Sequence, residues 1–239
     1  MKPSDFKGLF HKSSVTVVKI DNPFDDYFVI TLQPNSKTTW TAGEHAVFYL
    51  PDMKERGRRW RAFSVASAPE EGVILIGTRT GAVPSPFKKH LANMKIGSRI
   101  VMIGPFGWFK FHDEQTPVVL ISGGVGVTPI RAMVRSVDAK RRRGPIDLIC
   151  GNTGKLLFEQ DLRDKAVQVP LIRYSAPTSV EETLREINGA VQRHGNTARY
   201  YISGSPSMIS SVRKDLRSQG IMRSHIIFDP FIGYRRQKK

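Results

Sequence analysis

The chain of 239 residues carries a single cysteine, Cys150. No intrachain disulfide can staple it, and no four-thiolate iron–sulfur cluster can form on it, so any redox chemistry calls for an organic cofactor. The histidines, at positions 11, 45, 90, 112, 194 and 225, include no His-x-x-x-His pair and no neighbouring cysteine pair, so no metal is expected. No apolar run reaches the roughly 18 to 20 residues that a membrane helix needs. The amino-terminal MKPSDFKGLFHKSS has no apolar stretch of the kind that directs secretion. The expectation is a cytoplasmic protein with no transmembrane segment.

Acidic residues are also scarce: 21 against 37 lysines and arginines, for a net charge of +16. Charge speaks to partners rather than fold, and it leaves nucleic acid, an anionic membrane surface, an acidic protein and phosphate-bearing cofactors all open. Arg56, Arg58, Arg59 and Arg61 surround one strand start, Arg141, Arg142 and Arg143 precede a turn, and Arg235, Arg236, Lys238 and Lys239 lie in the tail. A solvated surface is the simple reading of the last two groups. With 40% hydrophobic and 24% charged residues the composition is that of a folded protein, and the length allows two domains.

The pattern changes character along the chain. Up to residue 111 it shows short β-branched and aromatic runs between turn residues, at 15–20, 27–32, 46–50, 73–78 and 100–103, with Arg61 to Ser64 in a further strand. That spacing predicts an antiparallel barrel. One helix is expected over 85–94, where Phe87, Leu91 and Met94 recur at helical spacing before Gly97. The boundary is expected within 113–117, giving domains 1–112 and 113–239. Beyond it, the continuous apolar run 118–122 reads as a buried parallel strand. Helices at 130–137, 158–165, 180–191 and 208–219 then alternate with strands at 146–150, 171–174 and 198–203. Such alternation predicts a doubly wound, Rossmann-like α/β domain with a parallel sheet.

Three motifs carry chemistry. Gly123-Gly124-Val125-Gly126-Val127-Thr128-Pro129 follows a buried strand and opens a helix. Glycines let backbone N–H groups approach a pyrophosphate, and the helix start adds partial positive charge. Pro129 stands where a third glycine is usual, which a first helical turn tolerates. In Arg61-Ala62-Phe63-Ser64, strand alternation sets Arg61 and Phe63 on one face, an arrangement able to grip phosphate and stack a ring. Ser203-Gly204-Ser205-Pro206-Ser207-Met208 again joins an apolar strand to a helix, and implies a second ligand-facing loop.

The ordered combination R-A-F-S, G-P-F-G, G-G-V-G-V-T-P, S-G-S-P-S-M and F-I-G-Y, over residues 15–234, resembles the ferredoxin–NADP reductase family of flavoproteins. The resemblance implies a Greek-key barrel that binds FAD, followed by an α/β domain that binds NADP or NAD. It assigns Arg61 to the flavin phosphates, Phe63 to the isoalloxazine in place of a usual tyrosine, and Ser64 to the neighbourhood of flavin N5. Ser85, with Thr80 and the residues leading to it, Thr78 and Arg79, falls in a second flavin loop. Gly123, Gly124, Gly126, Thr128 and Pro129 match the dinucleotide loop. Ser203, Gly204, Pro206 and Met208 match the segment meeting the nicotinamide, and Tyr234 a terminal ring near the flavin. Ser64 and Ser203 are the implied catalytic pair, since hydride transfer to the flavin needs positioning rather than a side-chain acid or base.

No carboxylate ends the second Rossmann strand to accept a ribose hydroxyl, while Lys155 and Arg173 are available to a 2′-phosphate, so NADP is expected over NAD. Cys150 reads as a buried strand residue. Three function classes follow: an NAD(P)H reductase passing electrons to an acidic carrier such as ferredoxin or flavodoxin, an electron-transfer subunit of a larger complex, and a non-enzymatic nucleic-acid-binding protein, the least favoured.

Overall fold

A computed structural model describes residues 3–229. The described chain divides into two compact units, one ending at Trp108 and the other Phe109–Asp229. In the first, a 3-10 turn at Pro3–Phe10 leads into β1 (Lys12–Phe24), β2 (Tyr27–Gln33), β3 (His45–Tyr49), β4 (Trp60–Ser64), β5 (Ile74–Arg79), α1 (Pro86–Ala92) and β6 (Arg99–Phe106). The sheet order is β4-β3-β6-β1-β2-β5, antiparallel throughout, and its edge strands β4 and β5 approach one another, so the sheet curls into the expected barrel.

Alternation builds its core. Val15, Val17, Ile30, Leu32, Phe48, Ile74, Ile76, Ile100 and Met102 are fully buried on the inner face, each contributing about 1.5 to 3 kcal/mol of apolar burial. β1 runs beyond the expected 15–20 because backbone pairing continues through the polar Asp21 to Phe24, which faces Tyr27 across a turn at Asp25 and Asp26. α1 is shorter than the 85–94 expected: Ser85 is its cap, accepting the Lys88 N–H, and Pro86 fills the first helical position. Phe87 and Leu91 are buried against the barrel core.

The second unit comprises β7 (Val118–Gly123), α2 (Val127–Arg135), β8 (Ile146–Gly151), α3 (Glu159–Gln168), β9 (Ile172–Ser175), α4 (Val180–His194), β10 (Arg199–Ser203), α5 (Pro206–Ser218) and β11 (Ile226–Phe228). All five strands are parallel, in the order β11-β10-β7-β8-β9. The chain therefore winds outward from β7 in one direction through β9, then returns to lay β10 on the other side of β7. That reversal opens a crevice at the carboxyl ends of β7 and β10.

Besides shifts at the ends of other elements, three departures from the sequence-based expectations bear on this unit. α2 begins at Val127, ahead of the expected 130, because a 3-10 turn at Gly124–Gly126 feeds directly into it and Pro129, third in the helix, has no intrahelical N–H bond to lose. β11, only three residues long, is an addition to the expected strands. Arg142 is not a solvated side chain: it is buried, donates to the carbonyls of Asp113 and Thr116, and lies 4.5 Å over the Phe111 ring. Its neighbours Lys140, Arg141 and Arg143 are exposed.

Candidate functional site

In the first unit, β3 and β4 pair so that Phe48 faces Arg61, Ala46 faces Phe63 and His45 faces Ser64. Ala46 and Phe48 are fully buried, and Phe63 has ring centroids 6.0 Å from both Phe48 and the Phe87 of α1, partly buried against them. Strand alternation sets Arg61 on the same face as Phe63.

Arg61 is half-buried, and its Nε has neither solvent nor a hydrogen-bond partner among the described residues. Burial first, then the nearby Arg58, push its guanidinium below the ordinary range. Lys88, one turn into α1, is pushed down to about 8 by burial, then by Arg61 and Arg79, with Asp26 opposing. Its Nζ donates to the Arg79 carbonyl.

Asp26 is the carboxylate that acts on this group. Its Oδ2 accepts from Arg79 Nε at 2.9 Å and from the Gly81 N–H at 3.0 Å, while its carbonyl accepts from the Thr80 N–H and hydroxyl. Arg79 and Lys88 thus share one carboxylate, and Arg61, which acts on Lys88, adds a further positive charge. Positive charge in excess, partly withdrawn from solvent at Arg61 and Lys88, is costly unless an anion compensates it, so the notch fits a diphosphate. Thr78 is buried in β5 opposite Phe28, and Ser85 spends its oxygen as the α1 cap.

Lys88 and Asp26 were not among the residues singled out from the sequence. No local pattern marks them: they meet Arg61 and Arg79 only through the barrel pairing.

In the second unit the β7 loop and the β10 loop meet. A Cβ on Gly126 would lie 2.6 Å from the Gly204 N–H nitrogen and closer still to the Ser203 carbonyl, so only glycine lets the two loops touch. Gly124 has φ +54 with open space around it, a left-handed turn free to admit a ligand. The Met208 sulfur covers Gly123 and Gly204. Ser205 caps α5, accepting the Met208 N–H at 3.2 Å, with Pro206 first in the helix. Thr128 and Pro129 are buried in the first turn of α2, where the Thr128 hydroxyl donates to the Val125 carbonyl at 2.9 Å.

Ser203 is fully buried and donates to Asp229 Oδ2 at 3.3 Å, a partner the sequence did not reveal. Lys155 is exposed in the turn after β8. Arg173 lies apart from these loops. It pairs in register with Asp147 toward the amino-terminal ends of the strands, 3.7 Å from a carboxylate that also holds Arg193 and His194. Burial pushes the Cys150 thiol up to about 12, as befits an inert strand residue. Tyr234 and the basic tail lie outside the described residues.

A curled six-stranded antiparallel sheet followed by a parallel five-stranded sheet is the architecture of the ferredoxin reductase-like fold. Comparison with known proteins agrees. The chain is 30% identical over 182 residues to the toluate 1,2-dioxygenase electron transfer component of Pseudomonas putida, covering 72% of this chain and 54% of that one. It is 26% identical over 204 residues to one of the subunits that make up the Na(+)-translocating NADH-quinone reductase of Neisseria meningitidis, covering 72% and 49%. The chain therefore spans about half the length of these curated relatives.

Among solved structures, a ferredoxin NADP+ reductase from Neisseria gonorrhoeae with bound FAD and NADP superposes with a TM-score of 0.76 at 16% identity, over 91% of this chain and 98% of that one. No family model matches. The chain is ferredoxin reductase-like in sequence and in fold.

Proposed function

We propose that the protein is an FAD-dependent oxidoreductase that takes a hydride from NAD(P)H and passes electrons to a separate acceptor. The first unit would serve as the FAD-binding domain and the second as the NAD(P)-binding domain. The observation that carries this reading is the surplus of positive charge around the half-buried Arg61, on the strand that also presents Phe63 and Ser64. Arg61 neutralises the cofactor diphosphate, Phe63 supplies a stacking ring, and Ser64 holds a hydrogen bond to the flavin edge. Gly124 and Gly126 admit the nucleotide diphosphate, and Met208 with Ser203 lines the nicotinamide end. Bound flavin supplies the ability to accept two electrons together and release them singly or in pairs.

NADP is the favoured nucleotide, with Lys155 in the exposed turn after β8 as the cation offered to its 2′-phosphate, since Arg173 stands beside Asp147 away from these loops. An acidic protein carrier such as ferredoxin or flavodoxin suits the net charge of +16. A role as the electron-transfer subunit of a larger complex is the second reading, favoured by the relative that is itself one part of a multi-subunit quinone reductase. A cytoplasmic setting, where reduced nicotinamide nucleotides are made, completes the proposal. Among the described residues, no helix is long and apolar enough to cross a membrane.

The test is the visible spectrum of the purified protein, followed by stopped-flow reduction of its flavin by NADPH and NADH in parallel. Yellow protein reduced faster by NADPH supports the reading. Protein that stays colourless after incubation with FAD overturns it. Steady turnover with an artificial acceptor separates a free enzyme from an incomplete subunit.

A further inference from the structure

The notch around Arg61 contains a cation that is only conditionally charged. Lys88 projects from α1 onto the carbonyl of Arg79, and the charges acting on it come from three other elements: Arg61 on β4, Arg79 on β5 and Asp26 in the β1–β2 turn. Two of the three are positive, and Asp26 is already engaged by Arg79 Nε and the Gly81 N–H. The Nε of Arg61 is buried with no partner among the described residues. With Asp26 already shared, a second, partly buried positive charge acting on Arg61 is opposed by both desolvation and repulsion.

We propose that Lys88 is a direct ligand of the FAD diphosphate and that it binds a proton together with the cofactor, so that FAD is held while Lys88 is an ammonium and released as that proton is lost. This inference rests on the assignment of the notch to FAD and goes beyond it, by naming the residue that couples cofactor retention to pH. The geometry requires it of Lys88 rather than of its neighbours: a guanidinium at Arg61 or Arg79 stays charged at any working pH, and the adjacent Lys89 is exposed.

The sign follows from linkage. In the FAD-free protein the Lys88 ammonium titrates at about 8 rather than 10.5. A bound diphosphate raises that value, so the complex holds one more proton than the free protein above about pH 8. Affinity is flat below that point, and the dissociation constant climbs about tenfold per pH unit above it until the bound lysine itself titrates. A guanidinium at this position would keep the affinity and lose the pH dependence, and a methionine would lose both.

The experiment measures FAD binding by flavin fluorescence quenching between about pH 6.5 and about pH 9.5, with proton uptake on mixing followed by a pH indicator in weak buffer. The proteins are wild type, Lys88→Arg and Lys88→Met, each checked by circular dichroism. Expected are a break near pH 8 and proton uptake at pH 9 for wild type, with neither in the two variants. At pH 7, affinity should be retained in Lys88→Arg and reduced at least tenfold in Lys88→Met. A flat wild-type profile, or a break that persists in Lys88→Arg or Lys88→Met, overturns the role of Lys88 and leaves the flavin assignment intact. Folded wild type that binds no FAD at pH 7 overturns the assignment itself.

Discussion

His45 makes the acid stability of the first unit calculable. Its side chain is 4% exposed, neither ring nitrogen has a hydrogen-bond partner among the described residues, and it is wedged edge-on against Phe106 at 4.4 Å, with Trp108 beyond at 6.4 Å. Burial lowers its pKa from 6.5 to about 4. A depressed folded-state value means the unfolded chain binds the proton first, so stability present above pH 6.5 is lost as pH falls toward 4. With about 1.4 kcal/mol per pKa unit, the full loss is about 3 kcal/mol, of which about 2 kcal/mol is spent by pH 5.

Replacing the imidazole by a ring that cannot titrate, His45→Phe, should remove that slope. The wild-type and variant unfolding free energies should shift relative to one another by about 2 kcal/mol between pH 7 and pH 5. Urea unfolding followed by tryptophan fluorescence is the assay, because Trp40, Trp60 and Trp108 all belong to the first unit. If the difference between the two proteins is the same at both pH values, the imidazole titrates normally and the packing argument fails.

Three further outcomes are expected. Gly126→Ala should destabilise the second unit by about 3 kcal/mol or more, since its Cβ meets backbone that has no room to yield, whereas Gly124→Ala costs only about 1 kcal/mol for its left-handed turn; equal effects in thermal unfolding would show that the loops do not touch. Arg61→Ala should lose most bound FAD at unchanged fold, because its buried Nε has no partner among the described residues to be left behind; a variant purified with full flavin content would remove Arg61 from the site. Arg142→Ala strips the carbonyls of Asp113 and Thr116 and uncovers Phe111, for a loss of about 2 to 4 kcal/mol; a melting temperature within a degree of wild type would return Arg142 to the surface.

The large features were legible because they are local. β-branched runs between turns, and glycine loops between buried strands and helices, announce themselves within ten residues, and the helical spacing of Phe87 and Leu91 set the start of α1 to within a residue. What escaped was set by partners far away in the chain. Arg142 stands among arginines that look solvated, yet its guanidinium is buried against the 113–116 turn. Lys88 is one of two adjacent lysines until β5 and the β1–β2 turn are folded around it. Arg173 looked available to a nucleotide phosphate, and strand register committed it to Asp147 instead. β11 is too short to carry a period, and the carboxylate that follows it, Asp229, found Ser203 only through parallel pairing with β10.

The contact of Gly126 with Ser203 and Gly204 ties together the two halves of the doubly wound sheet at the place where they diverge. Neither loop can be lengthened, shortened or given a side chain without moving the other. Under the proposed assignment, a nucleotide's phosphate end and its reactive end would be read by a single part, the two loops in direct contact. Adjusting the grip on one end would then change the aim of the other, and under the same proposal preference among nucleotides would drift more freely at the exposed turn after β8, where Lys155 stands, than at the crevice.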